Sequence, residues 1–248
     1  MTQTHKEEKH LLKAILLLLL FVVCVTVTVL ADPTGATISA NTTQSGPAIS
    51  AGVQNTTRGT ITTMALNAMQ QDQQWKAYVG NVTGGLSLDN PASATIYSWN
   101  LAAVTGQVYA SRYNNLTWSG GNIVCATPGV INNESIFHNM SNSEVDRLNA
   151  TFNYTTHKQF QVGTNVISQN TCNSTVMNVN DTKQTISTAS PYQEVLVMDS
   201  ANSYLIYMAS IDDNQYGYDN TTYDFQMIVA ESDLKASPTP YYFYVELR

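Results

Sequence analysis

Histidine, cysteine and basic side chains are all scarce in this chain, and each shortage removes a class of function. Only four histidines occur among 248 residues. Two of them, His5 and His10, sit in the first ten positions, and the remaining His138 and His157 form no His-Glu-x-x-His zinc motif. The three cysteines show no Cys-x-x-Cys spacing, so neither a zinc knuckle nor a redox dithiol is expected. Eleven Lys and Arg stand against 18 Asp and Glu, a net charge of −7. Such a chain repels polyanions, which argues against nucleic acid as a partner and against electrostatic capture by an anionic membrane. No Gly-x-Ser-x-Gly elbow, phosphate-binding glycine loop or cysteine with a histidine partner is present, so no catalytic activity and no cofactor is expected. The carboxylates Asp89, Glu134 and Glu194 are what would remain for a glycosidase-type pair, and only their separation in the fold could make them one.

Long apolar runs are missing as well, with one exception at residues 11–31. From Ala14 to Ala31 there are 18 residues without a charge, about the minimum for a helix across ~30 Å of hydrocarbon. Lys6, Lys9 and Lys13 precede the run, and the next basic residue is Arg58. That bias keeps residues 1–10 in the cytoplasm and sends everything after the run outside. The stretch reads as a transmembrane signal anchor or, alternatively, as a signal peptide cut after Ala31, leaving the product secreted. Removing Lys6, Lys9, Lys13, Glu7 and Glu8 from the totals leaves eight bases and sixteen acids, a net charge of −8 for the exterior part. Only Cys125 and Cys172 lie beyond the membrane run. In an oxidising exterior they are expected to form a disulfide closing a 47-residue loop, the other possibility being two buried thiols.

What is abundant is Asn, Ser and Thr. Eleven Asn-x-Ser/Thr sequons follow Ala31, at Asn41, Asn55, Asn81, Asn115, Asn133, Asn139, Asn149, Asn153, Asn173, Asn180 and Asn220. With 23 asparagines, chance composition would supply roughly five. The excess points to N-glycans on an extracellular surface.

Residues 32–60 are rich in Thr, Ser, Gly and Asn with few large apolar groups, and are expected to form a flexible stalk. Residues 61–74, with Met64, Ala65, Ala68 and Met69, permit a short helix. Residues 75–248 then read as one domain of antiparallel strands, expected at 76–82, 95–101, 104–112, 123–126, 160–168, 194–199, 203–211, 222–230 and 241–247. A helical turn capped by Ser143 is expected at 143–152. Alternation places Val108 with Ala110 on one face and Tyr97 with Trp99 on another. Many short strands with turn signals and little helix predict a mostly β fold, an antiparallel β-sandwich with a jelly-roll-like arrangement.

The string Trp75-Lys76-Ala77-Tyr78-Val79-Gly80-Asn81-Val82-Thr83-Gly84 resembles the opening motif W-K-x-(F/Y)-V-G-N-V-(S/T)-G of uncharacterised archaeal secreted or membrane-anchored cell-surface proteins. Further similarity lies at Tyr97 with Trp99, at Gly106 through Arg112, at 160–163, at 223–229 and in the closing Tyr241-Tyr242-Phe243-Tyr244-Val245-Glu246-Leu247. The resemblance implies an archaeal surface β-domain and carries over no functional residue.

Two ligand chemistries are conceivable. The acidic loop holding Asp212, Asp213, Asn214 and Asp219, with Asp224 nearby, offers hard oxygen donors of the kind calcium takes. Trp99, Trp118 and some of the 14 tyrosines could form a platform for sugars, although aromatic strand residues more often fill a core. The leading expectation is a non-catalytic, glycosylated display protein serving envelope structure, adhesion or cell–cell contact. A secreted filament subunit joined by N-terminal β-strand addition, and a calcium- or carbohydrate-binding module, are the alternatives. Partners would be the membrane, other surface proteins, glycans or copies of itself.

Overall fold

The computed structural model describes residues 32–47, 50–232 and 234–248. The expected cytoplasmic tail and membrane segment, residues 1–10 and 11–31, lie outside the described residues. Among the described residues no helix is long and apolar enough to cross a membrane. In chain order the elements are β1 (Thr34–Gly35), β2 (Trp75–Gly80), β3 (Gly85–Asp89), β4 (Thr95–Asn100), β5 (Thr105–Ser111), β6 (Ile123–Cys125), α1 (Pro128–Phe137) and α2 (Leu148–Thr151). They continue as β7 (Phe160–Val162), β8 (Asn165–Ile167), β9 (Ser174–Val176), β10 (Asn178–Val179), β11 (Thr182–Lys183), β12 (Gln193–Asp199) and β13 (Tyr204–Asp212). The last are β14 (Gln215–Tyr216), β15 (Thr222–Tyr223), β16 (Phe225–Ala230) and β17 (Tyr242–Leu247).

Side-chain alternation explains the main sheet. Its strands run β1-β17-β5-β13-β12-β6, with β9 also on β12, and every pairing is antiparallel. Even and odd positions enter different cores. Val108, Ala110, Leu196, Met198, Leu205, Tyr207, Ala209 and Ile211 face one core. Tyr109, Val195, Val197, Ile206 and Met208 face the other. The first core is closed by the β2–β16 pair through Met227 and Val229, and by α1 and α2 through Val130, Ile131, Leu148 and Phe152. The second is closed by the β7–β8 hairpin through Phe160, Val162 and Ile167, with Cys172 and Trp118. A sheet covered on both faces buries nearly every residue of β5, β12 and β13. Each large apolar side chain so buried contributes roughly 1.5–3 kcal/mol.

The architecture is mostly β, antiparallel and layered, consistent with a β-sandwich. Its layers are unequal: one seven-stranded sheet is faced by two-stranded pieces and helices. That is not the pair of four-stranded sheets of a jelly roll.

Several local expectations need correction. Residues 61–74 form no helix; Met64, Leu66 and Met69 are exposed. Without a surface on which to bury its apolar side, a helix that short gains too little to nucleate. The segment 32–60 is not a free stalk throughout. Thr34 and Gly35 pair with Val245 and Tyr244, Ala36 N donates to Phe243 O at 2.9 Å, and Pro33 is buried. The chain therefore joins the sheet edge at its first described residues, makes an exposed excursion, and returns at Trp75. The run 160–168 is a hairpin folded at Gly163, whose φ of 55° is left-handed. The run 222–230 breaks at Asp224, whose carboxylate accepts hydrogen bonds from Val82 N at 2.7 Å and Asn214 N at 3.0 Å. The turn expected at 143–152 shortens to α2, which begins after Arg147. Helix α1 was not anticipated. Thr127 caps it by accepting from Val130 N at 3.4 Å, and Pro128 opens it. Its buried stripe is Val130, Ile131, Glu134 and Ser135, half polar, which hides the periodicity.

Glu231 closes the β2–β16 layer to the loop before β17. It pairs with Lys76 and accepts from Ser232 N at 2.9 Å and from Thr239 N and Oγ1 at 2.9 and 2.8 Å. Burial opposes its ionisation, but the hydrogen bonds from Lys76, Ser232 and Thr239 outweigh it and hold its pKa at about 2. A carboxylate depressed in the folded state stabilises the fold above its ordinary pKa and loses that contribution as pH falls toward 2. Thermal denaturation between pH 6 and pH 2 should therefore show a larger loss of stability than the Glu231→Gln variant shows, by on the order of 2 kcal/mol. Parallel curves for the two proteins would assign the acid lability elsewhere.

Candidate functional site

The acidic loop after β13 is built from its own hydrogen bonds. Asp212 receives Lys158 Nζ at 2.9 and 3.0 Å. Asn214 takes a left-handed φ of 52° and is held by Asp224. Asp219 accepts from Thr221 N at 3.0 Å and from the Tyr223 hydroxyl at 3.1 Å. Asp213 is half-buried, and its carbonyl accepts from Gln215 Nε2 at 3.1 Å. Tyr192 reaches into the base of the loop, its hydroxyl lying 2.5 Å from Gln215 O and 2.8 Å from Tyr223 O. Burial pushes that phenol up to about 12, so it stays a donor across the whole neutral range. Gln226 completes the scaffold, accepting from Tyr218 N and donating to Asn178 O.

Of the expected calcium donors, Asp212 and Asp219 engage their carboxylates in pinning the loop, whereas Asp213 and Asn214 take part through their backbone. Among the described residues no three or more His, Cys, Asp or Glu side chains gather in a metal-binding group. Beside the loop lies a shallow cavity of about 360 Å³ lined by Lys158, Thr188, Ser190, Pro191, Asp212 and Gln215. Its one carboxylate and one ammonium neutralise each other across the rim.

The other carboxylates weighed for chemistry occupy three separate settings. Asp89 is exposed on β3, accepting from Ser87 Oγ at 2.9 Å. Glu194 is fully buried in β12, and its Oε2 accepts from Ile228 N at 2.9 Å. Burial drives its pKa well above the ordinary range, the Ile228 amide opposing only in part. Glu134 lies on α1 and is buried.

Around Glu134 is a network that sequence reasoning did not find. Arg112 Nε lies 2.9 and 3.1 Å from the two Glu134 oxygens. His138, one turn along α1, places Nε2 3.2 Å from Glu134 Oε1 and 3.3 Å from the Tyr241 hydroxyl. The Tyr241 hydroxyl in turn donates to Ala230 O at 2.7 Å. The Arg112 guanidinium is sandwiched between the rings of Phe137 at 3.8 Å and Tyr113 at 4.2 Å, and Tyr113 stacks on Tyr204 at 3.7 Å. Lys235 caps the ladder over Phe137 at 3.2 Å. Side chains from the end of β5, from α1, from the start of β13 and from the segment before β17 are locked together here, and His138 has no exposed surface for a substrate to reach. The Glu134–His138 spacing of four would have been the visible signal, had α1 been recognised.

No known family, curated protein or solved structure matches the chain.

The remaining expected sites fall into place individually. Cys125 and Cys172 form the disulfide, with Cα atoms 4.9 Å apart. His157 sits beneath it: Nδ1 donates to Lys158 O at 2.8 Å, and Nε2 accepts from both Thr171 N and Cys172 N at 3.0 Å. Burial lowers its pKa, against the hydrogen bond to Lys158 O, which keeps the ring neutral and able to accept. Trp118 packs between Tyr109 and Tyr244, with centroids 5.1 and 5.0 Å away, and so serves the core. Trp75 packs on Phe152 and donates its indole N–H to Asp146 O at 2.8 Å. Trp99 and Tyr97 share a face as expected but remain exposed.

Ten of the eleven sequon asparagines are exposed: Asn41, Asn55, Asn81, Asn115, Asn133, Asn139, Asn149, Asn153, Asn180 and Asn220. Asn173 is the exception. It is half-buried, and its Nδ2 donates to Phe152 O at 2.9 Å.

Proposed function

We propose that this chain is a non-catalytic, glycosylated display protein, tethered to a cell membrane through residues 11–31 with its β-domain outside. The observation that carries this reading is the surface position of ten sequon asparagines, spread over the excursion, α1, the loops and the acidic hairpin. Glycans there would surround the domain while leaving its two cores untouched. The similarity of 75–84 to archaeal surface proteins belongs to the same reading, and so does a role in envelope structure, adhesion or cell–cell contact. Docking of β1 on its own β17 supports display over filament assembly, because an arm paired in cis is not free to add to a neighbour's sheet.

Mass spectrometry of the native protein tests this directly. Glycopeptides are expected at the exposed sequons, and Asn173 is expected bare, since the Nδ2 that would carry the glycan is half-buried and already donates to Phe152 O inside the fold. The membrane fraction should yield a peptide spanning residues 11–31. Unmodified asparagine at every sequon would remove the main support for the reading. A mature N-terminus at Asp32 would turn the tethered protein into a released one.

A further inference from the structure

Between Lys76 and Arg112 the sequence carries a single charge, Asp89. Within that stretch β3 and β4 form a hairpin that lies off both cores, every residue of both strands exposed. Cross-strand register pairs Leu86 with Trp99 and Leu88 with Tyr97. Opposed residues of an antiparallel pair project from the same side, so these four large side chains make one continuous apolar face. Ser87 and Ser98 pair on the other side. Asp89 is held there too by its hydrogen bond from Ser87 Oγ, with Ile96 as the one apolar exception. The tip, Pro91-Ala92-Ser93-Ala94, is small and uncharged. A two-stranded ribbon is marginal by itself in water, and an apolar face of this size marks a contact.

Position indicates what the contact is. The hairpin springs from Gly84, where a Cβ would lie 2.5 Å from Leu247 Cδ1, and returns into β5 beside Arg248, whose N donates to Thr105 O at 2.9 Å. The first described residue, Asp32, leads into β1, antiparallel to the same end of β17, and lies against Gly163, whose N donates to Glu246. Root and tether therefore share the Glu246–Leu247 end of the sheet, one residue beyond the apolar run 11–31. A five-residue strand spans roughly 17 Å, so the hairpin remains beside any surface from which residue 31 emerges.

We propose that the Leu86, Leu88, Tyr97 and Trp99 face of the hairpin lies on the outer surface of the lipid bilayer that holds residues 11–31. This rests on the tethered reading above. Trp and Tyr favour the bilayer interface, where one part of the ring is apolar and the other wet, and Asp89 stays on the water side. The acidic domain gains nothing from anionic lipid, so the contact is apolar and made effective by the tether, which raises the local concentration of the hairpin at the surface. A sugar platform fits less well. The Tyr97 and Trp99 planes are inclined by 58°, and half the face is aliphatic.

The test uses the full chain reconstituted in phosphatidylcholine vesicles with brominated acyl chains. Flotation reports the anchor, and the emission lost on Trp99→Phe isolates Trp99 from Trp75 and Trp118. The expected result is a floating protein whose Trp99 emission is quenched by bromine and shielded from aqueous acrylamide. The Leu86→Ser/Leu88→Ser variant should lose that shielding with its near-ultraviolet circular dichroism otherwise unchanged. A floating protein whose Trp99 is open to acrylamide overturns the hairpin contact alone. Shielding without bromine quenching overturns it in favour of a second copy of the chain. Failure to float overturns both the anchor and the contact.

Discussion

Arg112→Ala is expected to lower the unfolding free energy by about 3 kcal/mol, the range for leaving one member of a buried ion pair without its partner. Glu134 is buried, and its two oxygens are bridged by Arg112. Removing the guanidinium leaves His138 as its one remaining side-chain partner. The loss is not electrostatic alone, because the guanidinium also fills the gap between the Phe137 and Tyr113 rings. Arg112→Lys therefore should recover only part of the stability, because an ammonium cannot lie flat between two rings. A double variant, Arg112→Met with Glu134→Leu, removes both charges while keeping bulk, and should be more stable than Arg112→Ala. Urea unfolding of the four proteins checks the order. Equal stability of Arg112→Ala and the parent would show the pair to be solvated and without weight.

Loss of the disulfide is the second large effect. The link joins residues 47 apart, and the chain-entropy relation assigns a loop of that size about 4 kcal/mol. Within the loop lie α1, α2 and the β7–β8 hairpin, elements that close both cores. Cys172 is itself buried among Phe160, Val162 and Ile167, and its amide is one of the two that His157 accepts. Cys125→Ser with Cys172→Ser should destabilise the domain by about 2–4 kcal/mol, and hydrogen exchange should rise first across 126–173. Reduction of the parent protein should reproduce the effect, which the double variant would not show. A variant as stable as the parent, with unchanged exchange, would mean that core burial alone defines this region.

Much of the fold was legible because the strands of the main sheet are strongly patterned. Residues 104–112, 194–199 and 203–211 were read as strands, and Val108 and Ala110 do share a core. Short-range signals failed where context ruled. Residues 61–74 carry helix-forming residues but have nothing to pack on. The stripe of α1 mixes Glu134 and Ser135 with Val130 and Ile131, so no apolar periodicity announces it. At 160–168 the backbone freedom of Gly163 turned an expected strand into a hairpin. In the acidic loop, the Asp219 carboxylate caps a local amide and the Asp212 carboxylate binds Lys158, and the second of these uses depends on chain segments far apart in sequence.

Tyr97 and Trp99 show the division most clearly. Alternation alone determined that they share a face, because side chains in a strand must point to opposite sides in turn. Residue type and spacing in turn determined the cysteine pair, the acidic net charge and the excess of sequons. Whether the Tyr97–Trp99 face is covered depends on what else folds against it, and that is a property of long-range packing. The tertiary structure left this face open, placed it at the end of the sheet where the chain enters, and buried Glu134 beneath Arg112. Those outcomes come from contacts between segments more than twenty residues apart, which local pattern does not encode.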